Sequence, residues 1–263
     1  MVDVVIAGAC GRMGEALLRV GACTAGIRLA GALDVKEKVA AAGGVLRAAG
    51  GDIRLCASLD DLAPARGTVV VDFSAPAASR ALAAQLAARG LKAVIGTTGL
   101  TADDLAVIRA AGDATAVLWA PNMSVGVNVL LGLVRQLAAV VPDYDIEIVE
   151  AHHRHKKDAP SGTAIALGEA AAAGRGVALA AVARHGREGL VGERPTGEIG
   201  FHAVRAGDIV GEHTVTFAGP GERIEVTHRA HSRDTFAAGA LRAAIFLSTR
   251  ERGFFTMADA LGL

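Results

Sequence analysis

Between Glu150 and Thr163 the chain reads E-A-H-H-R-H-K-K-D-A-P-S-G-T, placing three histidines, two lysines and an arginine ahead of a Ser-Gly-Thr step. His152 and Lys156 stand four residues apart, which sets them on one side whether the segment is extended or helical. In such a pair one group can donate a proton while the other fixes a charge. Histidine titrates near neutral pH, and a positioned proton donor is typically worth about 10²–10⁴ in rate. Ser161-Gly162-Thr163 has the form of a helix N-terminus capped by Ser161, an end whose N–H groups suit a carboxylate. With His153, Arg154, Lys156 and Lys157 alongside, the segment points to an anionic substrate carrying one or more carboxylates.

Two plainer possibilities compete. H-H-R-H could hold a metal, but neighbouring residues of a strand face opposite ways, no cysteine is at hand, and Arg154 would repel a cation, so no metal is expected. A solvated basic loop is the other, and the position between a strand and a capped helix weighs against it.

A second constellation lies at the N-terminus. Gly8, Gly11 and Gly14 follow the first strand-like run and open the first helix, the context in which a glycine pattern signifies a dinucleotide. Glycine lets the backbone turn sharply beside a pyrophosphate, whose charge meets the N–H groups of the helix end. The spacing is G-x-x-G-x-x-G rather than G-x-G-x-x-G, so a second support is needed. Asp34 supplies it, closing the second strand 20 residues past Gly14, where a carboxylate accepts from adenine ribose hydroxyls. An acid here repels a 2′-phosphate and favours NADH, although Lys36 and Arg12 could offset that repulsion. Asp72-Phe73-Ser74, Gly96-Thr97-Thr98-Gly99 and Ala120-Pro121-Asn122-Met123 end later strands and are expected to contact the same cofactor.

These groups need a frame. Val2 to Ala7, Leu29 to Leu33, Thr68 to Phe73 and Ala93 to Ile95 are short apolar runs, alternating with Ala-rich helical stretches at Met13 to Ala25, Ala77 to Arg89 and Asp103 to Ala111. Continuous apolar strands in βα rhythm indicate a parallel sheet buried on both faces. From Asp145 the pattern changes to alternation, D-I-E-I-V-E-A-H. After a helix near Ala164 to Ala173 come strand-like runs at Ile199 to Arg205, Ile209 to Ala218 and Arg223 to Ala230, separated by turns at Gly207-Asp208 and Gly219-Pro220-Gly221. The expected class is α/β: a Rossmann-like dinucleotide-binding domain over residues 1–123, and an α+β substrate-binding and oligomerisation domain over 124–233 with an open mixed, mainly antiparallel sheet. A helix within 234–263, about Thr235 to Ser248 and capped by Asp234, is expected to pack back on the first domain.

Composition removes other classes. The 27 basic and 27 acidic side chains cancel, leaving no electrostatic footprint for nucleic acid. The longest strongly apolar run, Val125 to Val134, is well short of the roughly 20 residues a bilayer-spanning helix needs. No export leader is visible at the N-terminus, so the cytoplasm is expected. Cys10, Cys23 and Cys56 are too few and scattered for a disulfide framework, and reduced, buried thiols are expected.

The runs G-A-C-G-R-M-G, D-F-S-A-P, G-T-T-G, A-P-N-M-S-V-G-V-N, E-A-H-H-R-H-K-K-D-A-P-S-G-T-A and G-E-I-G-F-H-A-V-R-A-G-D-I-V-G-E-H-T-V occur in the order typical of dihydrodipicolinate reductases, and the chain resembles that family over nearly its whole length. The resemblance implies hydride transfer from NADH or NADPH to a cyclic unsaturated imine dicarboxylate. It implies that Gly8, Ala9, Cys10, Gly11, Arg12 and Met13 hold the pyrophosphate, Asp34 the adenosine ribose, and Gly96, Thr97, Thr98, Ala120, Pro121, Asn122 and Met123 the nicotinamide end. His152 and Lys156 would be the catalytic proton donors, His153 would touch the substrate, and Gly162 with Thr163 would bind its carboxylate. Many members carry arginine after the acid where this chain has Val35, which weakens one route to NADPH recognition, and the family is usually a homotetramer. Two rivals remain: another imine reductase or amino-acid dehydrogenase, and a non-catalytic dinucleotide sensor. The sensor needs only the glycine turn and Asp34, so the His152, Lys156 and Ser-Gly-Thr set counts against it.

Overall fold

The computed structural model describes residues 1–263, which divide into two compact units, Met1–Val125 with Arg233–Leu263, and Gly126–Ser232. In the first unit β1 (Val2–Ala7) leads to α1 (Arg12–Gly21), β2 (Ile27–Leu33), α2 (Lys36–Ala41), β3 (Val45–Ala48), β4 (Gly51–Cys56), α3 (Leu59–Leu62), β5 (Val69–Asp72), α4 (Pro76–Arg89), β6 (Lys92–Ile95), α5 (Ala102–Ala111) and β7 (Ala116–Trp119). The second contains α6 (Val125–Val140), β8 (Asp145–His152), α7 (Gly162–Gly174), α8 (Leu179–Val182), β9 (Ala183–His185), β10 (Ile199–Arg205), β11 (Gly211–Gly219) and β12 (Glu222–Ala230). The chain then returns to the first unit with α9 (Asp234–Ser248), β13 (Gly253–Phe255) and α10 (Met257–Leu261).

The first sheet has eight strands in the order β13-β7-β6-β5-β1-β2-β4-β3, all parallel except the β3–β4 hairpin. The order reverses between β1 and β5, and ligands of such sheets bind beyond the strands' carboxyl ends at that switch. Burial on both faces explains the V-V-V runs. Val4, Ile6, Val69 and Val71 join one core cluster, with Leu17 of α1 and Ala240, Leu241 and Ala244 of α9, while Val5, Val70, Ala93 and Ile95 join another with Leu82 and Leu86 of α4. A strand with no solvent face has no polar positions to alternate.

Helix α9 packs against α1, β5 and β6. Its cap is not Asp234. Arg233 holds the N-cap position without a side-chain cap bond, and Asp234 sits in the first turn, where it accepts a hydrogen bond from Arg19 of α1. An acid in a helix's first turn favours the positive end of the dipole without capping it.

The second sheet, β12-β11-β8-β10-β9, is mixed. β8 pairs antiparallel with β11 and parallel with β10, so the turn at Gly207-Asp208 joins strands lying on opposite sides of β8 rather than a hairpin. Gly219-Pro220-Gly221 does connect neighbours, the antiparallel β11 and β12. One face is covered by α6 and α7: Ile146, Ile148, Val215, Phe217, Ile199 and Phe201 pack against Leu130, Val134, Ala164 and Leu167. The other face is open, and Val149 and Val204 lie on it 39% and 44% exposed. The run beginning at Val125 is α6, and no helix is long and apolar enough to cross a membrane.

Candidate active site

The glycine turn is built by close approach. Gly8 has φ +77°, and a Cβ there would lie 2.6 Å from the Phe73 carbonyl oxygen, while a Cβ on Gly14 would lie 2.2 Å from that of Ala9. No other residue fits either position without moving backbone. Inside the turn the Gly8 and Ala9 N–H groups donate to the Leu33 carbonyl, and the Cys10 N–H to Asp34 Oδ2 at 2.8 Å. The N-cap of α1 is Gly11, which offers no side chain to the N–H groups of the first turn. A helix end left in that state suits an anion.

Asp34 is more enclosed than a strand-end acid waiting for a ribose. Its side chain is 5% exposed. Oδ1 accepts the Val35 N–H at 2.9 Å and lies 3.4 Å from Lys38 Nζ. Burial alone would raise this carboxyl, but the Cys10 and Val35 N–H groups and then Lys38 bring it below the usual range. The cation beside it is thus Lys38, one helical turn on, and not Lys36, which opens α2 on the surface.

Two cavities flank the strand ends. One of about 300 Å³ is lined by Gly8, Asp34, Val35, Ser58 and Gln85 among others. One of about 400 Å³ gathers Gly11, Arg12, Met13, Gly96, Thr97, Thr98, Pro121, Asn122 and Met123. Ser74 lines both, so together they follow the carboxyl edge of the sheet. Ala120 is buried and lines neither, and Ala9 and Cys10 turn toward a third cavity with Lys38. Cys10 is half-buried and Cys23 exposed; of the three free thiols only Cys56 is buried as expected.

Asp72 was not assigned a role of its own by sequence reasoning. It is 1% exposed and accepts from the Ser74 N–H and Oγ at 3.0 and 2.5 Å, from Ser79 Oγ, and from Thr97 Oγ1 at 3.4 Å. Burial raises its carboxyl, and these donors offset only part of that. One carboxylate thereby ties together the ends of β5 and β6 and the start of α4. Arg233 and Phe236 also line the larger cavity, at the head of the return helix.

In the second unit the period-2 pattern of β8 puts Ile146, Ile148, Glu150 and His152 on its buried face, so that face passes from hydrocarbon into a polar cluster. Glu150, 1% exposed, is gripped by Arg205 through two bonds of 2.8 and 2.7 Å. It also accepts the Ser161 N–H at 3.0 Å and meets His152 Nδ1 at 2.6 Å. Burial would raise the Glu150 carboxyl, but bonds from Arg205, His152 and Ser161 carry it below the ordinary value. It is therefore an anion, which assigns the Nδ1 proton of His152 and leaves Nε2 as the ring's lone-pair nitrogen. Burial lowers the His152 pKa, with Glu150 opposing and Lys156 and Arg205 reinforcing that shift.

After His152 the chain is neither extended nor helical. The Lys156 N–H closes a turn on the His153 carbonyl at 3.1 Å, and Lys156 Nζ rests 3.0 Å from Asp158. His153 is half-buried with Nδ1 unpartnered, its ring 6.2 Å from that of His155. Ser161 caps α7 by accepting the Ala164 N–H at 3.2 Å, and Gly162 and Thr163 are the helix's first two residues. A Cβ on Gly162 would meet nothing within 4 Å. Open space above a capped helix end, beside His152 and Lys156, can hold an anion and pass it a proton.

Sequence reasoning also left Glu150, Arg205 and His213 without roles. His213 is 4% exposed, with Nε2 3.1 Å from Ser161 Oγ and its ring edge-on to His152 at 5.2 Å. The available signal was alternation: Gly211, His213, Val215 and Phe217 share one face of β11, and a histidine on such a face requires a partner.

Residues 2–123 match the family model described as dihydrodipicolinate reductase, N-terminus, and residues 126–261 that described as its C-terminus. A 4-hydroxy-tetrahydrodipicolinate reductase of Anaeromyxobacter dehalogenans is 48% identical, covering 100% of this chain and 98% of that protein. One from Ruegeria pomeroyi is also 48% identical, over 99% and 98%. Among solved structures, a dipicolinate-bound dihydrodipicolinate reductase from Paenisporosarcina sp. TG-14 has the same fold at TM-score 0.78, with 22% identity and 98% of each chain covered. From end to end, the chain belongs to the dihydrodipicolinate reductase family.

Proposed function

We propose that the chain is a 4-hydroxy-tetrahydrodipicolinate reductase, an NAD(P)H-dependent oxidoreductase converting a cyclic unsaturated imine dicarboxylate to tetrahydrodipicolinate in diaminopimelate and lysine biosynthesis. The observation carrying it is the Glu150–His152 pair at 2.6 Å beside the capped end of α7, in a chain 48% identical to relatives of that name.

The glycine turn fits a dinucleotide, since a Cβ at Gly8 would fill its backbone cradle and the first turn of α1 has no side-chain cap. Gly8 to Met13 would hold the pyrophosphate, Asp34 the ribose, and Gly96 to Thr98 with Ala120 to Met123 the nicotinamide end. Bound NAD(P)H supplies the hydride. His153, Gly162 and Thr163 hold the dicarboxylate, and His152 Nε2 or Lys156 Nζ delivers the proton. The free His152 ring, its pKa lowered by burial, is mostly neutral at pH 7. A dianion beside it favours the imidazolium, so substrate binding loads the donor.

NADH is the favoured cofactor. Asp34 is anionic and Val35 offers no guanidinium for a 2′-phosphate, while Lys38 limits the repulsion. The assembly is a cytoplasmic homotetramer joined through the open face bearing Val149 and Val204, and three unpaired cysteines accord with a reducing compartment. The test is the product of aspartate-semialdehyde and pyruvate condensation, supplied to the purified chain with each cofactor. Oxidation of NADH faster than NADPH is expected, and no oxidation of either rejects the assignment.

A further inference from the structure

On the buried face of β11, Val215 and Phe217 are fully enclosed and His213 takes the next place along otherwise apolar packing. A polar ring is costly there unless its hydrogen bonds accomplish something. His213 Nε2 lies 3.1 Å from Ser161 Oγ, and Nδ1 is buried without a partner. The titratable groups facing the ring are His152, Glu150, His228 and Lys156. A neutral imidazole carries one N–H. Placed on Nδ1 it would be an orphaned buried donor, the rarest kind of defect; placed on Nε2 it donates to Ser161 Oγ. Ser161 Oγ also accepts the Ala164 N–H at 3.2 Å, so both its lone pairs are then engaged and its own O–H is left to donate.

We infer that His213 is a positioning residue: donating to Ser161 Oγ and bracing the His152 ring edge-on, it sets the anion-holding end of α7 and the proton donor as one piece. Gly211 belongs to the same device. A Cβ there would lie 3.1 Å from His152 Nε2, so glycine at this strand position keeps the reactive atom clear. This role rests on the function proposed above.

The test is steady-state kinetics on the full chain, with dipicolinate as equilibrium probe, for His213→Leu, His213→Gln, Ser161→Ala and the double variant H213L/S161A. His213→Leu is expected to raise KM for the imine dicarboxylate and Kd for dipicolinate about tenfold, the scale of one well-made hydrogen bond, with a smaller fall in kcat and unchanged cofactor affinity. His213→Gln, whose amide can donate to Ser161, should recover most of the loss, and the double variant should be no worse than the poorer single one. Equal damage in the Leu and Gln variants, additive losses, or a parallel loss of cofactor binding would overturn the role and leave only packing. If the Leu variant does not fold, His213→Asn, too short to reach Ser161, takes its place against His213→Gln. A wild-type chain that neither reduces the substrate nor binds dipicolinate removes the proposed function and this role with it. Normal wild-type turnover with an unmoved KM in His213→Leu removes this role alone.

Discussion

Burial at His213 should make the protein acid-labile in a defined window. The ring's pKa falls from 6.5 to about 4, first because burial disfavours its charged form, then because His152 lies against it. The unfolded chain binds this proton near pH 6.5 and the folded chain does not, so the stability it confers is complete above that pH and lost as pH falls toward 4. At about 1.36 kcal/mol per pH unit, the whole interval corresponds to roughly 3 kcal/mol, most of it lost above pH 4.5, before ordinary carboxylates titrate. Burial also lowers His152 and His228, so the wild-type curve alone does not isolate this group. The difference between wild type and His213→Gln does. Urea denaturation at half-unit steps from pH 7 to 4.5 should show the wild type losing stability faster than the variant by about one proton's worth. Parallel curves would mean that His213 takes up its proton in the folded state, and the neutral ring inferred here would be wrong.

Lys156→Ala should lower kcat by about 10²-fold or more while leaving dinucleotide Kd, read by fluorescence titration, nearly intact. Asp34→Ala should narrow the ratio of kcat/KM between NADH and NADPH; because the same carboxylate holds the Cys10 N–H, affinity for both should also fall. Arg205→Met strands the buried Glu150 carboxylate and should cost about 3 kcal/mol in denaturation at pH 7, whereas Glu150→Gln combined with Arg205→Met should recover part of it. Val149→Lys with Val204→Lys, tested by light scattering, should shift a tetramer toward smaller species.

The parallel sheet was legible because burial on both faces leaves a crude mark: Val69, Val70 and Val71 are all fully enclosed, and nothing polar interrupts them. Helix α6 was not. Its V-G-V-N-V-L-L-G-L-V opening is rich in β-branched residues and glycine, poor helix formers, and it is helical because its buried face has the second sheet to pack on. The β3–β4 hairpin escaped because Val45–Ala48 is short and half exposed, and the order β11-β8-β10 because a turn's composition says where the chain reverses, not which strand lies alongside.

The same distinction separates the site residues that sequence could name from those it could not. His152 and Lys156 stand in one dense run, and their types announce proton chemistry. Arg205 and His213 acquire meaning only from sheet register: β8 sets Glu150 opposite His213 of β11, and β10 sets Arg205 opposite His152. Those pairings bring β8, β10 and one helix cap onto a single carboxylate, with His213 of β11 held to the same cap. His152 and the Ser161 N–H come from nearby in the chain, but the guanidinium that neutralises this buried anion comes from Arg205, 55 residues away. The donor's tautomer is set inside the run by Glu150, but the groups that hold Glu150 and brace the ring, Arg205 and His213, lie outside it, and local spacing carries no trace of them. It follows that substitutions on β10 and β11, far in sequence from His152, should alter its chemistry more than changes at its neighbour Arg154, whose side chain points to solvent.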